Sequence, residues 1–349
     1  MGKSDRDHLL VIRLSALGDV AMTLPVLKLL LEQYPNLDIT MLTRGRFAPV
    51  FGQLPRIMVH NADVTGRHKG LPGLGRLFTE LQKKGFSGVA DLHNVLRSNV
   101  LKLFFATQAL PFVQIDKGRK SKKELTSMTG KVFKPLKTTH QRYADVFGKL
   151  GYPVSLSAAT PLSREPLSEK ARELAGDRYR KWIGIAPFAA YPGKMYPEDL
   201  MLKVIAGLAK TGKYTMFLFG GGGEEKEQLE NWARLYPDCI SAAGKMSFGE
   251  ELGLISNLDL MLSMDSANGH LAANYGIPTL TLWGLTHPFA GFYPFGQAPD
   301  YALLADRNQF PGIPTSVYGN KMPRGYEQAM ASIAPEDVVV KVIDMLSPN

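Results

Sequence analysis

Two kinds of apolar pattern alternate along this chain. Short runs of consecutive Val, Ile and Leu read as strands buried on both faces, and longer stretches with apolar residues every third or fourth position read as helices. The first half predicts strands at 9–14, 37–42, 57–60, 86–91 and 112–115, with helices near 20–34, 73–84, 96–106 and 139–149. Gly148 to Ser168, with Pro153, Pro161 and Pro166, reads as a linker. The pattern then restarts with a strand at Trp182–Ala186, a helix from Pro197 to Lys210, a strand at Tyr214–Phe219 and a helix at Glu224–Leu235. Further strands fall near 238–241, 259–264 and 279–283. The stretch 284–326, rich in Pro, Gly and aromatic residues, predicts irregular chain wrapping a cleft. A last helix starts at Pro335 and carries Val338, Val339, Val342, Ile343 and Leu346 on one face. Strands alternating with helices predict an α/β protein with parallel sheets, and a like strand–turn–helix site in each half suggests two Rossmann-like, nucleotide-fold domains facing across a cleft.

Two strand-to-helix junctions carry the candidate chemistry. The run Leu258–Met264 stops at Asp265, and Ser266, Ala267, Asn268, Gly269 and His270 lead into a helix. Such a junction presents backbone N–H groups and the positive end of a helix dipole, which suits an anion such as a diphosphate. The N-terminal strand ends the same way, in Ser15-Ala-Leu-Gly18-Asp19. Asp19 would stand at the carboxyl edge of the sheet, where open α/β folds bind ligands; it would equally serve as the acidic residue that a helix start favours. Lys194 lies in a loop after the first strand of the second half, where an ammonium can reach a phosphate. Glu224 and Glu225, after Gly220–Gly223, could accept from ribose hydroxyls or merely complement a helix N-terminus.

Two familiar motifs are absent. Arg13–Gly18 has one glycine where a dinucleotide fingerprint needs three. Gly207–Tyr214 nearly matches a phosphate-binding P-loop, but Tyr214 stands where Ser or Thr is required, and the segment runs from helix to strand. Seven histidines without paired spacing and one cysteine, Cys239, give no metal-ligand pattern and exclude an internal disulfide. Neither a metal nor a cofactor is expected.

Composition adds an asymmetry. Residues 1–165 hold 25 Lys/Arg against 12 Asp/Glu, whereas 166–349 hold 16 against 20. Lys117 to Lys137 is the densest basic stretch, with eight cations and Glu124 as the sole acid. This balance points to an anionic partner on the first half. With Phe133 its single aromatic residue, the stretch does not suit a single-stranded nucleic acid. No apolar run approaches about 18 residues, the length of a membrane-spanning helix, and the charged N-terminus lacks the apolar core of a secretion signal.

At this point the residues resemble a known family. Val11–Pro25, Lys194-x-Tyr196-Pro197-Glu198, Lys245-Met246-Ser247 and Met264-Asp265-Ser266-x-x-Gly269-His270 are similar, in order, to motifs of the lipopolysaccharide heptosyltransferases, glycosyltransferase family 9. The resemblance implies a GT-B fold, with residues 1–165 binding the acceptor and 166–334 the nucleotide sugar. It also implies that helix 335–347 packs back on the first domain. Asp19 then matches the catalytic carboxylate. Lys194, Glu224, Glu225, Met246, Asp265, Ser266, Ala267, Asn268, Gly269 and His270 match the donor side. Ser15, Arg97, Lys120, Lys122, Lys123, His140 and Arg142 fall toward the acceptor side. The implied partners are an ADP-sugar donor and an anionic glycolipid acceptor, with peripheral contact at the cytoplasmic face of the inner membrane and no nucleic acid. Two departures stand out: Ala189 and Ala190 replace expected hydroxyl residues, and Ala267 stands where glycine is common. Competing readings are a GT-B transferase using another nucleotide sugar, a non-catalytic glycolipid-binding protein on the same fold, and, disfavoured by the missing glycines, a nicotinamide-dependent oxidoreductase.

Overall fold

The computed structural model describes residues 6–347 and divides into two compact units. The first contains the chain up to Lys117 together with Thr139–Thr160; the second contains Gly118–Thr138 and everything from Pro161 onward.

In the first unit, β1 (Asp7–Ile12) leads through α1 (Leu17–Ala21) and α2 (Leu24–Gln33) to β2 (Leu37–Thr43) and β3 (Ile57–Asn61). Then follow α3 (Gly70–Gln82), β4 (Gly88–Asp91), α4 (Leu96–Phe105) and β5 (Phe112–Gln114). The chain leaves the unit to form α5 (Arg119–Leu125) and returns with α6 (Thr139–Lys149). The five strands are parallel in the order β3-β2-β1-β4-β5. Leu10 and Ile12 of β1 pack on Leu74, Leu77 and Leu81 of α3 and on Leu101 and Phe105 of α4. The helix expected at 20–34 is two helices, because Pro25, lacking an N–H, is accommodated at a helix start and not inside one.

The second unit adds α7 (Glu169–Ala175), β6 (Lys181–Ala186), α8 (Glu198–Ala209), β7 (Tyr214–Leu218), α9 (Glu224–Leu235), β8 (Cys239–Ser241) and α10 (Phe248–Ser256). It continues through β9 (Leu260–Met264), α11 (Ala267–Asn274), β10 (Thr279–Trp283), β11 (Ala302–Leu304) and α12 (Pro335–Leu346). Its six strands are also parallel, in the order β11-β10-β9-β6-β7-β8. In each sheet the strand order reverses once, beside β1 in the first and beside β6 in the second. Ligands of open α/β folds bind in the crevice at such a reversal, at the carboxyl ends of the strands.

Two segments lie elsewhere than the sequence suggests. Helix α12, expected to return to the first half, packs in the second unit. Its Val338, Val342 and Leu346 share a core with Met201, Val204, Ile205 and Leu208 of α8. The apolar stripe of α8 supplies the partner that the stripe of α12 needs. The basic stretch, expected with the first half, also belongs to the second unit, held by aromatic residues of 284–326. The Lys122 ammonium lies 4.2 Å over the Phe292 ring, and the Arg307 guanidinium 3.5 Å over Phe133. Lys131 Nζ donates to the carbonyls of Leu125 (2.7 Å) and Pro314 (2.8 Å). Desolvation lowers the Lys131 ammonium to a pKa of about 8. No helix among the described residues is long and apolar enough to cross a membrane.

Candidate active site

In the first unit the candidate chemistry follows β1 and β4, the strands that flank the reversal. Asp19 stands in α1, its side chain about a quarter exposed, and its Oδ2 pairs with Arg13 Nη2 at 2.5 Å. The same oxygen accepts from the Ala16 N–H at 3.3 Å. Both contacts fall on Oδ2; Oδ1 makes none among the described residues. Arg13 is buried, and its Nη1 donates to the Leu92 carbonyl at 2.8 Å, which ties the Asp19 loop to the loop after β4.

That second loop is built on Asp91. Its buried carboxylate accepts from the N–H groups of His93 (2.9 Å) and Asn94 (2.8 Å) and from Gln114 Nε2 (2.9 Å). His93 Nδ1 accepts from the Leu14 N–H at 3.4 Å, so in the neutral ring the proton sits on Nε2. Burial first, and then the nearby charge of Arg13, push the His93 pKa down to about 3, which keeps the ring neutral. Arg13, Asp91 and His93 join the candidate residues, and motif reading passed over them. An arginine directly after the apolar run Leu9–Ile12 was the signal available in the sequence.

Ser15 is half-buried beside Asp19, and Arg97 is exposed in the first turn of α4. His140 and Arg142 are buried on α6, where Arg142 Nη1 donates to the Asp116 carbonyl at 3.1 Å. Of the basic trio, Lys120 and Lys123 are exposed on α5, while Lys122 is buried against Phe292; all three belong to the second unit.

In the second unit the candidates follow β6 and β9, again flanking the reversal. Lys194 closes a tight turn, Pro192–Lys194, and its Nζ lies 3.0 Å from Asp265 Oδ2. The two side chains are 14% and 7% exposed, so this is a largely desolvated pair. The stem of Lys194 rests on Gly319, where φ is +81° and an added Cβ would stand 2.3 Å from Lys194 Cγ. The stretch 284–326 secures that arrangement. Leu285 N–H donates to the Gly193 carbonyl (2.9 Å), and Ser316 Oγ accepts from the Gly319 N–H (3.0 Å).

Ser266 stands at the N-cap position of α11 without a side-chain hydrogen bond to the helix end; its Oγ is 3.1 Å from Ser263 Oγ, which itself donates to the Met264 carbonyl. Ser266, Ala267 and Asn268 are half-buried on the first turn, whereas Gly269 and His270 are buried. The first-turn N–H groups of a helix lack intrahelical partners and can receive an anion, and this turn directly follows Asp265, the partner of Lys194. Glu225 is engaged locally, its Oε2 accepting from the Gly221 N–H at 2.6 Å; Glu224 is exposed on the same helix start. Met246 is half-buried just before Ser247, the cap of α10. Among the described residues, no group of three His, Cys, Asp or Glu side chains is arranged to hold a metal ion.

Two parallel α/β units, each with polar groups at its sheet reversal, match the architecture of the GT-B fold. Residues 74–300 match the family described as glycosyltransferase family 9 (heptosyltransferase), more than half of the chain, and the chain belongs to that family. It is 26% identical over 359 residues to lipooligosaccharide heptosyltransferase 2 of Haemophilus influenzae, covering 97% of this chain and 99% of the relative. It is 23% identical over 290 residues to the lipopolysaccharide core heptosyltransferase OpsX of the same organism, covering 80% of each. Among solved structures it is similar to a family 9 glycosyl transferase from Veillonella parvula, at 22% identity and a TM-score of 0.76 over 97% of both chains. It is also similar to the Escherichia coli heptosyltransferase WaaC with ADP, at 17% identity and a TM-score of 0.66 over 97% and 99% of the chains.

Proposed function

We propose that the protein transfers a heptose from ADP-heptose to the lipopolysaccharide inner core, on a lipid A-linked acceptor, with inversion at the anomeric carbon. The observation that carries this reading is the desolvated Lys194–Asp265 pair beside the open first turn of α11 in a chain of the heptosyltransferase family. The relative WaaC was solved with ADP and with ADP-2-deoxy-2-fluoro heptose, which supports the same donor class here.

In this reading the second unit holds the donor. The N–H groups of α11, Ser266 and Lys194 take the diphosphate, and His270 donates to a phosphate oxygen. Glu224 serves the ribose better than Glu225, whose carboxylate already closes the glycine turn. Met246 lines the base. As the bond from the anomeric carbon to ADP breaks, oxocarbenium character develops on the sugar, and Lys194 and the helix end balance the charge on ADP. The first unit supplies the base. Asp19 Oδ1 takes the proton of the acceptor hydroxyl while Arg13 and the Ala16 N–H hold the other oxygen in place. One base and one displacement give inversion. Ser15, Arg97, His140, Arg142, Lys120 and Lys123 are the acceptor-side groups; Lys122, packed on Phe292, acts through the position of α5. A lipid-linked acceptor places the work at the cytoplasmic surface of the inner membrane.

A donor screen with ADP-, UDP- and GDP-sugars and a lipid A-linked core acceptor tests the reading. Acceptor-dependent release of ADP from ADP-heptose supports it. Preference for a UDP- or GDP-sugar would replace the donor, and glycolipid binding without nucleotide release would make the protein a binding module.

A further inference from the structure

The outer surface of the first unit carries an apolar ridge that the proposed reaction leaves unused. Three of the four most exposed large apolar side chains among the described residues lie on α3 and α4: Leu96 (80%), Leu103 (72%) and Leu71 (65%). Leu96 and Leu103 are seven residues apart, so they share one stripe of α4, with half-buried Val100 between them. The opposite stripe, Ser98, Leu101 and Phe105, is buried toward the sheet. The exposed leucines therefore form the outermost line of the layer. Helix α3 packs beside α4, with Phe78 5.6 Å from Phe104 and 5.1 Å from Phe105, and Leu71 stands at its N-terminal end as Leu96 does at that of α4.

Cations flank this ridge. Arg97 and Lys102 are exposed on the two shoulders of α4, a helix without a single acidic residue. Lys69 and Arg76 are exposed on α3 and at its start; the one acid of that helix, Glu80, is occupied by Arg67, His60 and His68. The residues of the first unit hold 17 Lys/Arg against 10 Asp/Glu, a balance of +7. An apolar line edged by cations matches the interface of an anionic bilayer, where leucines enter the acyl boundary and cations meet the headgroups.

The geometry points to α4, with the start of α3, as a membrane-docking surface for anionic phospholipid, seated by Leu96, Leu103 and Leu71. This inference rests on the surface alone and not on the transferase reading.

The test is flotation of the full chain with vesicles of phosphatidylcholine alone or mixed with phosphatidylglycerol, free of any glycolipid. Wild type should bind the mixed vesicles and keep part of that binding at high salt, because the leucine contribution is unscreened. The L96S/L103S variant should lose roughly tenfold or more of its partitioning, the scale expected for two leucine side chains. The control Y179S, at an exposed position in the second unit, should bind as wild type. A second readout places an environment-sensitive dye on L103C. Cys239 is buried, its thiol pushed up to about 12 by desolvation, so labelling goes to the new thiol. Dye emission should shift to the blue on mixed vesicles. Equal flotation of L96S/L103S and wild type, with no shift, overturns the proposal. So does a change in oligomeric state of L96S/L103S by light scattering with flotation intact, which would assign the ridge to a second copy of the chain. Either failure leaves nucleotide release, and so the transferase reading, untouched.

Discussion

Replacing Lys194 by methionine separates two jobs of one side chain. Methionine keeps the stem that rests on Gly319 and removes the charge that pairs with Asp265. Asp265 is 7% exposed, so K194M leaves a carboxylate buried without its cation. Breaking a buried pair from one side costs about 3–5 kcal/mol. At about 2–4 °C per kcal/mol for a unit of this size, the melting transition should fall by about 6–20 °C. If Lys194 also holds a phosphate, K194M loses a charge-assisted contact of about 1.5–3 kcal/mol, and the Kd for ADP rises about 10- to 150-fold. The double variant K194M/D265N buries no unpaired charge, so it should regain most of the lost stability but none of the ADP affinity. Calorimetric melting and titration with ADP read the two quantities independently. A K194M protein that melts with wild type would refute the buried-pair argument, and a double variant that binds ADP like wild type would remove Lys194 from the donor site.

Other consequences are equally direct. His93 stays neutral down to a pKa of about 3 in the folded protein, while an unfolded histidine takes up a proton below about pH 6.5. Its contribution to stability is therefore complete above about pH 6.5 and lost as the pH falls toward 3, by at most about 1.4 kcal/mol per pH unit. Urea midpoints at pH 7.5 and 5 should converge in H93Q relative to wild type; equal slopes would show that His93 is not the titrating group. Gly319→Ala combines a positive φ with a Cβ 2.3 Å from Lys194 Cγ. It should cost about 1–3 kcal/mol, raise the donor KM several-fold and lower kcat as well, because the same ammonium balances the departing ADP; wild-type KM and kcat would show that Gly319 does not seat Lys194.

Much of this architecture was legible in the sequence because buried parallel strands leave apolar runs, as at Leu9–Ile12 and Leu260–Leu262. Tertiary partners were less legible. The stripe of α12 announces a buried helix but not which surface buries it, and α8 supplied the match. The basic stretch read as a first-half feature because its hold on Phe292, Phe289 and the Pro314 carbonyl joins residues far apart in sequence. Lys194 and Asp265 were legible as separate candidates, and their 3.0 Å contact only in the fold. Arg13, Asp91 and His93 were missed because their roles arise from two loops meeting across adjacent strands. Gly269 is buried in the first turn of α11. A Cβ there would meet Ser263 and Thr279 at ordinary contact distances.

In the proposed reaction, Asp19 removes the acceptor proton. Asp19→Asn is nearly isosteric and can be measured for acceptor-dependent ADP release beside its Kd for ADP. Turnover should fall by about 10²- to 10⁴-fold with ADP binding unchanged. Turnover within a few-fold of wild type would contradict the assignment.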